Sequence, residues 1–530
     1  MNTRKLFVAA FACLLLSPGV ALPHDDDEGK GKLGKVSFEN SCDPKVQPLF
    51  LRGVAMLHSF WYSAAEKTFR DVLAQDPTCA IATWGYASIM MSNPLAGVGA
   101  SAKGAEQSQA MIAEGRRIGA KTQRERDYIE AVAVYYEDWS NRPERARQLA
   151  RAKAYEALAA RYPQDDEAQI FSALYIAGTQ LQSDQTFAAY LKAAAILEKQ
   201  FAKHPDHPGV AHYLIHSYDA PPIAQQGLIA ARRYADIAPE APHALHMPSH
   251  IFTRVGAWEE SAATNTRSAE AARKGGEPDE AYHASDYMTY AYLQLARDGD
   301  ARRIIQEALK VSGTVRNAGP YAAAAIQARY ACERGAWREA MQLQPQTTKF
   351  LYPEAITYFA RALGAARSGD PAAAEKEAVQ LEALHKALQA ENNNYWANEV
   401  EIQRLAVAGW IALAQGKTDE ALKFMRASAD IEDKSEKHIV TPGRLVPARE
   451  LLGDMLLELK QPAAALKEYE ASQSREPNRF RGFYGAARAA EAAGDRQKAA
   501  AYYGKLLALS KNSDGTRPEL ALAKAYVAQR

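Results

Sequence analysis

The sequence predicts an all-α protein, an α-solenoid in which helix–turn–helix hairpins stack into a superhelix. Three observations carry this expectation. Beyond residue 40 alanine is abundant and β-branched runs are rare, which favours helix over strand. A short turn phrase recurs along the chain. The residues flanking that phrase also return at fixed spacing. A chain of 530 residues is moreover too long for one compact core, so several domains or an extended array are expected.

The first element is a targeting segment over residues 1–21. Arg4 and Lys5 precede the apolar run Leu6 to Leu16, and Ser17-Pro18-Gly19 breaks it before the small residues Gly19-Val20-Ala21. The run falls short of the ~20 residues needed to span a bilayer, so it reads as a cleaved secretory signal and not as a transmembrane helix. No later stretch is apolar enough to span. The protein is expected to be periplasmic or secreted. Residues 22–40, which include His24-Asp25-Asp26-Asp27-Glu28, read as a flexible acidic linker. Export permits disulfides, and a Cys42–Cys79 bridge would staple the first unit, leaving Cys332 as the odd thiol.

Two arrays follow, over 41–310 and 311–530. The turn phrase is a pair of turn residues, then an apolar or small residue, then alanine three positions on. It reads Gly494-Asp495-Arg496…Ala499, Gly416-Lys417-Thr418…Ala421, Gly369-Asp370-Pro371…Ala374 and Gly335-Ala336-Trp337…Ala340. Gly299-Asp300-Ala301 and Gly256-Ala257-Trp258 are weaker copies, and Phe60-Trp61-Tyr62 plays the same part near the start. Gly53, Ala65, Phe69 and Pro77 stand 12, 4 and 8 residues apart, and Gly453, Ala465, Tyr469 and Pro477 repeat that spacing. These residues resemble the tetratricopeptide repeat (TPR) family, whose unit is a helical hairpin of about 34 residues. The resemblance implies that small residues let the two helices approach, that the aromatic fills the gap between hairpins, and that the proline ends the second helix. Units are expected to start near residues 46, 242, 285, 321, 355, 402, 446 and 480, with less regular ones between 80 and 240, one of them near 208.

The same resemblance implies that the first helix of each hairpin lines the concave face, through unit positions 2, 5, 9, 12 and 13. In the unit starting at Pro242, His243, His246 and His250 fall at positions 2, 5 and 9. One unit earlier, His212 and His216 fall at positions 5 and 9. His58 takes position 13 of the first unit. Asp286 takes position 2 of the unit starting at Ser285, with His283 just before that helix. His212/His216 and His246/His250 are i, i+4 pairs, so each pair shares a helix face. Imidazole ligates zinc, copper and iron, so the two pairs are expected to converge on one transition metal ion. Asp286 could add a carboxylate, and Asp219, Tyr218 and Tyr287 are candidates for proton transfer or substrate contact. His204 and His207 read as loop residues, His385 and His438 as structural. Pro248, inside a helix between two of the histidines, marks a break of a kind found at shaped sites.

The wording of Met56 to Tyr62, His212 to Pro221 and Ala241 to Phe252 resembles a group of exported bacterial TPR proteins, a resemblance that implies shared design and no reaction. His212-Tyr-Leu-Ile-His216 has zinc-peptidase spacing, but Tyr213 stands where that chemistry needs a glutamate base. There is no phosphate-binding loop, no dinucleotide fingerprint, no nucleophile elbow and no Cys-x-x-Cys pair. A net charge of +1 gives no reason to expect nucleic acid. The leading expectation is an exported solenoid with a histidine-lined metal site on its concave face. The alternative is a periplasmic scaffold binding a peptide or protein partner in that groove without metal.

Overall fold

The computed structural model describes residues 32–529 apart from Thr314, Arg316 and Asn317. The proposed signal and most of the acidic stretch lie outside the described residues. Among the described residues there are α-helices and two short 3-10 turns, and no strand. Each helix packs chiefly on its neighbours in sequence, so antiparallel hairpins stack one after another. Packing of Phe480–Ala492 on Pro278–Gln294 then closes the superhelix upon itself. The closure is fixed by Trp258 Nε1, which donates to Asn478 O at 2.7 Å, and by the buried Arg517–Asp298 ion pair at 2.7 Å.

The turn phrase has a conformational cause. Gly256, Gly335, Gly369, Gly416 and Gly494 all have positive φ and turn the chain out of the first helix of their hairpins. Phe60, Ala296 and Lys460 take the same left-handed conformation in the units without such a glycine. Gly299 is therefore misplaced in the sequence reading. It lies in the first turn of helix Asp298–Ala308, and Ala296 makes the turn.

The repeated spacing is explained by close packing around an aromatic ring. A Cβ added at Gly53 would stand 3.1 Å from the Phe69 ring, and one at Gly85 2.4 Å from it. Gly453 and Gly485 hold Tyr469 in the same way, at 2.8 and 2.2 Å. Each ring is thus gripped between the first helices of two successive hairpins.

The N-terminal boundary differs from expectation. Leu33 and Phe38 are buried in the core of the first array, so the packed chain begins before residue 41. Cys42 and Cys79 form a disulfide, and Cys332 is a buried free thiol.

The concave face is not an open groove at the level of the histidines. Residues 433–447, between helices Thr418–Glu432 and Ala448–Glu458, run across it as a buried irregular segment. Glu436 N donates to Gln182 O (2.8 Å), and His438 Nε2 to Ala96 O (3.1 Å). Arg329 donates to Thr441 Oγ1 (2.7 Å) and to Arg444 O (2.9 Å). The place that the alternative reading kept for a peptide is filled here by the chain itself.

Closing a loop across a sequence separation of 37, the Cys42–Cys79 bridge is expected to stabilise the first hairpins by about 3–4 kcal/mol. Urea melts of the mature protein with and without reductant read this directly, and coincident midpoints would show that the bridge contributes nothing. Without reductant, Cys332 should be the single thiol that labels, and only after unfolding.

Candidate metal centre

The five proposed ligands come together and His283 joins them, in two sets rather than one. They form two triads in which the donor atoms lie within 4.8 Å of one another: His212, His216 and His243, then His246, His250 and His283. All six are buried. The layout of the two is the same. An i, i+4 pair sits on the first helix of one hairpin, and the third histidine comes from the first helix of the next. Helix Pro208–Ser217 holds the first pair, and Pro242–His246 supplies His243. The second pair straddles the break at Pro248, between Pro242–His246 and Pro248–Arg254. Met247 keeps helical dihedrals, so the helix kinks and continues, as an interior proline without an N–H requires.

His283 was undervalued in sequence. It lies inside helix Pro278–Gln294, not before it, because Pro278 at the first turn starts the helix several residues ahead of Ser285.

The hydrogen-bond partners fix which nitrogen of each ring is free. His212 Nδ1 donates to His58 O at 2.6 Å, and His243 Nδ1 to Glu280 Oε2 at 3.1 Å. His246 Nδ1 donates to Asn265 Oδ1 at 2.6 Å, while the Asn265 amide donates to Ser261 O. His250 Nδ1 donates to Asp219 Oδ2 at 2.8 Å. Burial alone would raise the Asp219 carboxyl, but Lys437, Arg254 and His250 outweigh it and hold the group well below its usual range, so it accepts. Each of these four rings therefore presents Nε2 as a lone pair. The His246 and His250 Nε2 atoms face one another at 3.0 Å. Two lone pairs at that distance repel, whereas ligands on one ion at ~2 Å stand about 3 Å apart. In addition His212 Nε2, both nitrogens of His216, His243 Nε2 and His283 Nδ1 have no partner in the protein. Ring nitrogens oriented through Nδ1–H bonds to carbonyl and carboxylate groups are the usual outer arrangement of metal-binding histidines.

A third cluster provides the contrast. His58, Glu167 and His207 also lie within ligand distance of one another, but their ring nitrogens are engaged. His58 bonds Tyr213 OH and Glu167 Oε2, both at 2.9 Å. His207 bonds Glu167 Oε1 at 3.0 Å and accepts from Val210 N–H at its helix start. This set is a structural network; His207 is a buried helix cap rather than a loose loop residue, and His58 acts on the centre only through its carbonyl. Tyr213, in the place of a peptidase glutamate, serves the same network.

Other candidates are redistributed. Asp286 pairs through Oδ1 with Arg329 at 2.8 Å, has no partner for Oδ2, and stands outside both triads. Tyr218 turns away to Glu198 Oε1 at 3.0 Å. Asp219 orients His250 and does not enter the ligand set. Tyr287 does belong to the centre: its ring lies 4.6 Å from that of His246, and its hydroxyl 3.4 Å from His250 Nε2. His385 stands apart beside Glu401, and His438 pins the crossing segment.

Phe60 is the site residue that the pattern did not reveal. Its φ of +52° is strained for a bulky side chain. The ring packs on His212 at 4.4 Å, His243 at 5.6 Å and His216 at 6.2 Å. The available signal was a phenylalanine standing where other units place glycine.

No known family profile matches this sequence, and no curated protein matches it. Among solved structures it is similar to the human IFIT1 dimer with PPP-AAAA, at 11% identity and a TM-score of 0.36, over 89% of this chain and 96% of that one. The same dimer with m7Gppp-AAAA gives 11% and 0.37, over 89% and 96%. The APC/C hetero-tetramer Cut9-Hcn1 gives 12% and 0.29, over 92% and 97%. At such TM-scores the likeness bears on neither function nor partner.

Desolvation keeps the imidazoles neutral. It lowers His212, His216 and His246 well below 6.5, His250 to about 4 and His283 to about 3. Burial likewise takes His438 to about 4. Unfolded, each titrates near 6.5, so between about 6.5 and 4 the unfolded chain binds more protons and stability falls as pH is lowered. Burial of Glu432, which raises it to about 7, works in the opposite direction and offsets at most one proton. The unfolding free energy of metal-free protein, read from urea melts, should therefore drop from pH 7 to pH 5, by up to ~1.4 kcal/mol per pH unit for each uncompensated histidine. A flat profile would contradict neutral burial.

Proposed function

We propose that this chain is an exported helical-repeat metalloprotein with two adjacent buried tri-histidine sites for transition metal ions. The observation that supports this reading is the accounting of ring nitrogens. Buried polar atoms without partners cost about 1–3 kcal/mol each, and five such nitrogens lie in this one cluster. Their sum is comparable with the whole net stability of a domain, ~5–15 kcal/mol. A metal ion in each triad would satisfy four of them, since His216 can give only one of its two nitrogens to an ion. Neutral imidazole suits copper, zinc and iron, and for sites of nitrogen donors copper(II) binds most tightly among the divalent ions. Six histidines in two sets extend the single ion of the sequence reading to a pair.

Elemental analysis after reconstitution with copper, zinc or iron is expected to find close to two ions per chain. His246→Ala/His250→Ala should retain about one, and His212→Ala/His216→Ala likewise. Negligible metal after reconstitution of folded protein would overturn the reading.

A further inference from the structure

We propose that the two triads act as one dinuclear copper centre that binds dioxygen reversibly between its ions. This rests on the metal reading above and adds to it the coupling of the sites, the identity of the ion and the class of ligand.

The geometry of the six rings points to coupling. The triads are in contact. His216 of the first meets His250 of the second with ring centroids 5.5 Å apart, and His243 meets His246 at 5.8 Å. The two ligand sets touch directly through these two ring pairs. Ions held at ~2 Å from their nitrogens would then lie close enough to share one small bridging molecule.

The donor chemistry points to copper. Paired hydrolytic ions stabilise anionic oxygens in displacement reactions, and carboxylate ligands suit harder ions such as magnesium and manganese. Here the carboxylates nearest the rings are already used. Glu280 and Asp219 accept Nδ1–H bonds from His243 and His250, and Asp286, whose Oδ1 pairs with Arg329 while Oδ2 has no partner, stands outside both triads. Each triad therefore offers three neutral nitrogens. Copper(I) would be three-coordinate with such a set, which would leave each ion a position for a further ligand.

The surroundings select a small, uncharged ligand. Phe60 closes the first triad, Tyr287 flanks the second, and Thr441 O and Ile439 O of the crossing segment lie 3.2 and 3.5 Å from the Tyr287 hydroxyl. The histidines are almost wholly excluded from solvent. A polymer or a highly charged substrate could not reach the ions without displacing that segment, but a diatomic gas could. In the proposed step each copper(I) gives one electron to dioxygen. Both ions become copper(II), and the bound molecule reaches the oxidation level of peroxide with its O–O bond intact. No proton or outside reductant is needed, and the reverse transfer releases dioxygen.

The test loads folded, metal-free protein with two equivalents of copper(I) under argon and then admits air. The expected result is a new charge-transfer absorption in the near ultraviolet, with bound copper(II) that gives almost no electron paramagnetic resonance signal because the two spins are paired. Removal of dioxygen should bleach the band. His283→Asn is expected to bind about one copper, lose the band and show an ordinary copper(II) signal on oxidation with ferricyanide. If this variant does not fold, as judged by circular dichroism, Phe60→Leu serves to show whether the band depends on the packing of the first triad. Two bound coppers with a full, uncoupled copper(II) signal and no band would overturn the dinuclear proposal and leave the metal reading intact. Failure to bind copper at all would overturn both.

Discussion

The structure around the centre depends on one buried carboxylate. Asp219 receives the His250 Nδ1–H at 2.8 Å, the Arg254 Nε–H at 2.8 Å and the Lys437 ammonium at 3.3 Å. Arg254 also pairs with Glu436 at 3.1 Å. Asp219, Glu436, Arg254 and Lys437 thus pair their charges in the interior, and Arg475 reaches Glu436 at 2.6 Å from its edge. A buried charge of this kind is tolerated only when it is paired and hydrogen-bonded. Two of the four residues, Glu436 and Lys437, belong to the segment that crosses the concave face. The pairing that makes Asp219 tolerable therefore also draws that segment down over the histidines. Closing the site and orienting His250 are one electrostatic event.

This explains why the histidines are core residues and not lining of an open groove. A helical array leaves its concave face wet by default, and wet imidazoles make poor discriminators between ligand and solvent. The crossing segment and the return of the C-terminal hairpins convert that face into an interior. Once water is excluded, every ring nitrogen must be accounted for. The His58–Glu167–His207 network meets that demand within the protein, and its members consequently read as scaffold. The two triads do not meet it, and the same rule is what marks them as the candidate site. The network still serves the centre: His58 O fixes the His212 tautomer, and Phe60, two residues on, packs on three of the rings.

Much of the fold was legible because its determinants are local. Alanine-rich helices, left-handed turns after the first helix of a hairpin, and glycines facing Phe69 and Tyr469 all act within one or two hairpins. The histidine pairs were legible for the same reason, since i, i+4 spacing places them on one face without knowledge of the rest. The division into two triads was not, because it depends on how far each hairpin is rotated against the next, and the kink at Pro248 alters that locally. His283 was misplaced when the turn at Ala296 was taken for one at Gly299, which shifted the start of its helix. The contributions of Glu436, Lys437 and Arg329 lie beyond pattern reading altogether. They join residues separated by more than 100 positions, and no periodicity relates them. Asp286 and Tyr218 looked like site residues by proximity in sequence, but each had a stronger partner elsewhere, in Arg329 and Glu198.

Ion binding in the proposed centre would be linked to the integrity of the array. Neutral, desolvated histidines and facing lone pairs destabilise the folded chain on their own, and an ion that binds only the folded form restores that stability. The coupling is directional along the solenoid. Helix Pro208–Ser217 anchors one triad and leads into Asp219, which pairs with Lys437 of the crossing segment, while helix Pro278–Gln294 closes the other triad and packs on the returning helix Phe480–Ala492. In a repeat protein, stability is largely a sum of nearest-neighbour terms, so a cross-link of this kind changes more than its own hairpins. All six histidines lie in the first array, so the ions would join neighbouring hairpins there, and the second array shares in that gain only through Lys437 on Asp219 and Thr441 O at the Tyr287 hydroxyl.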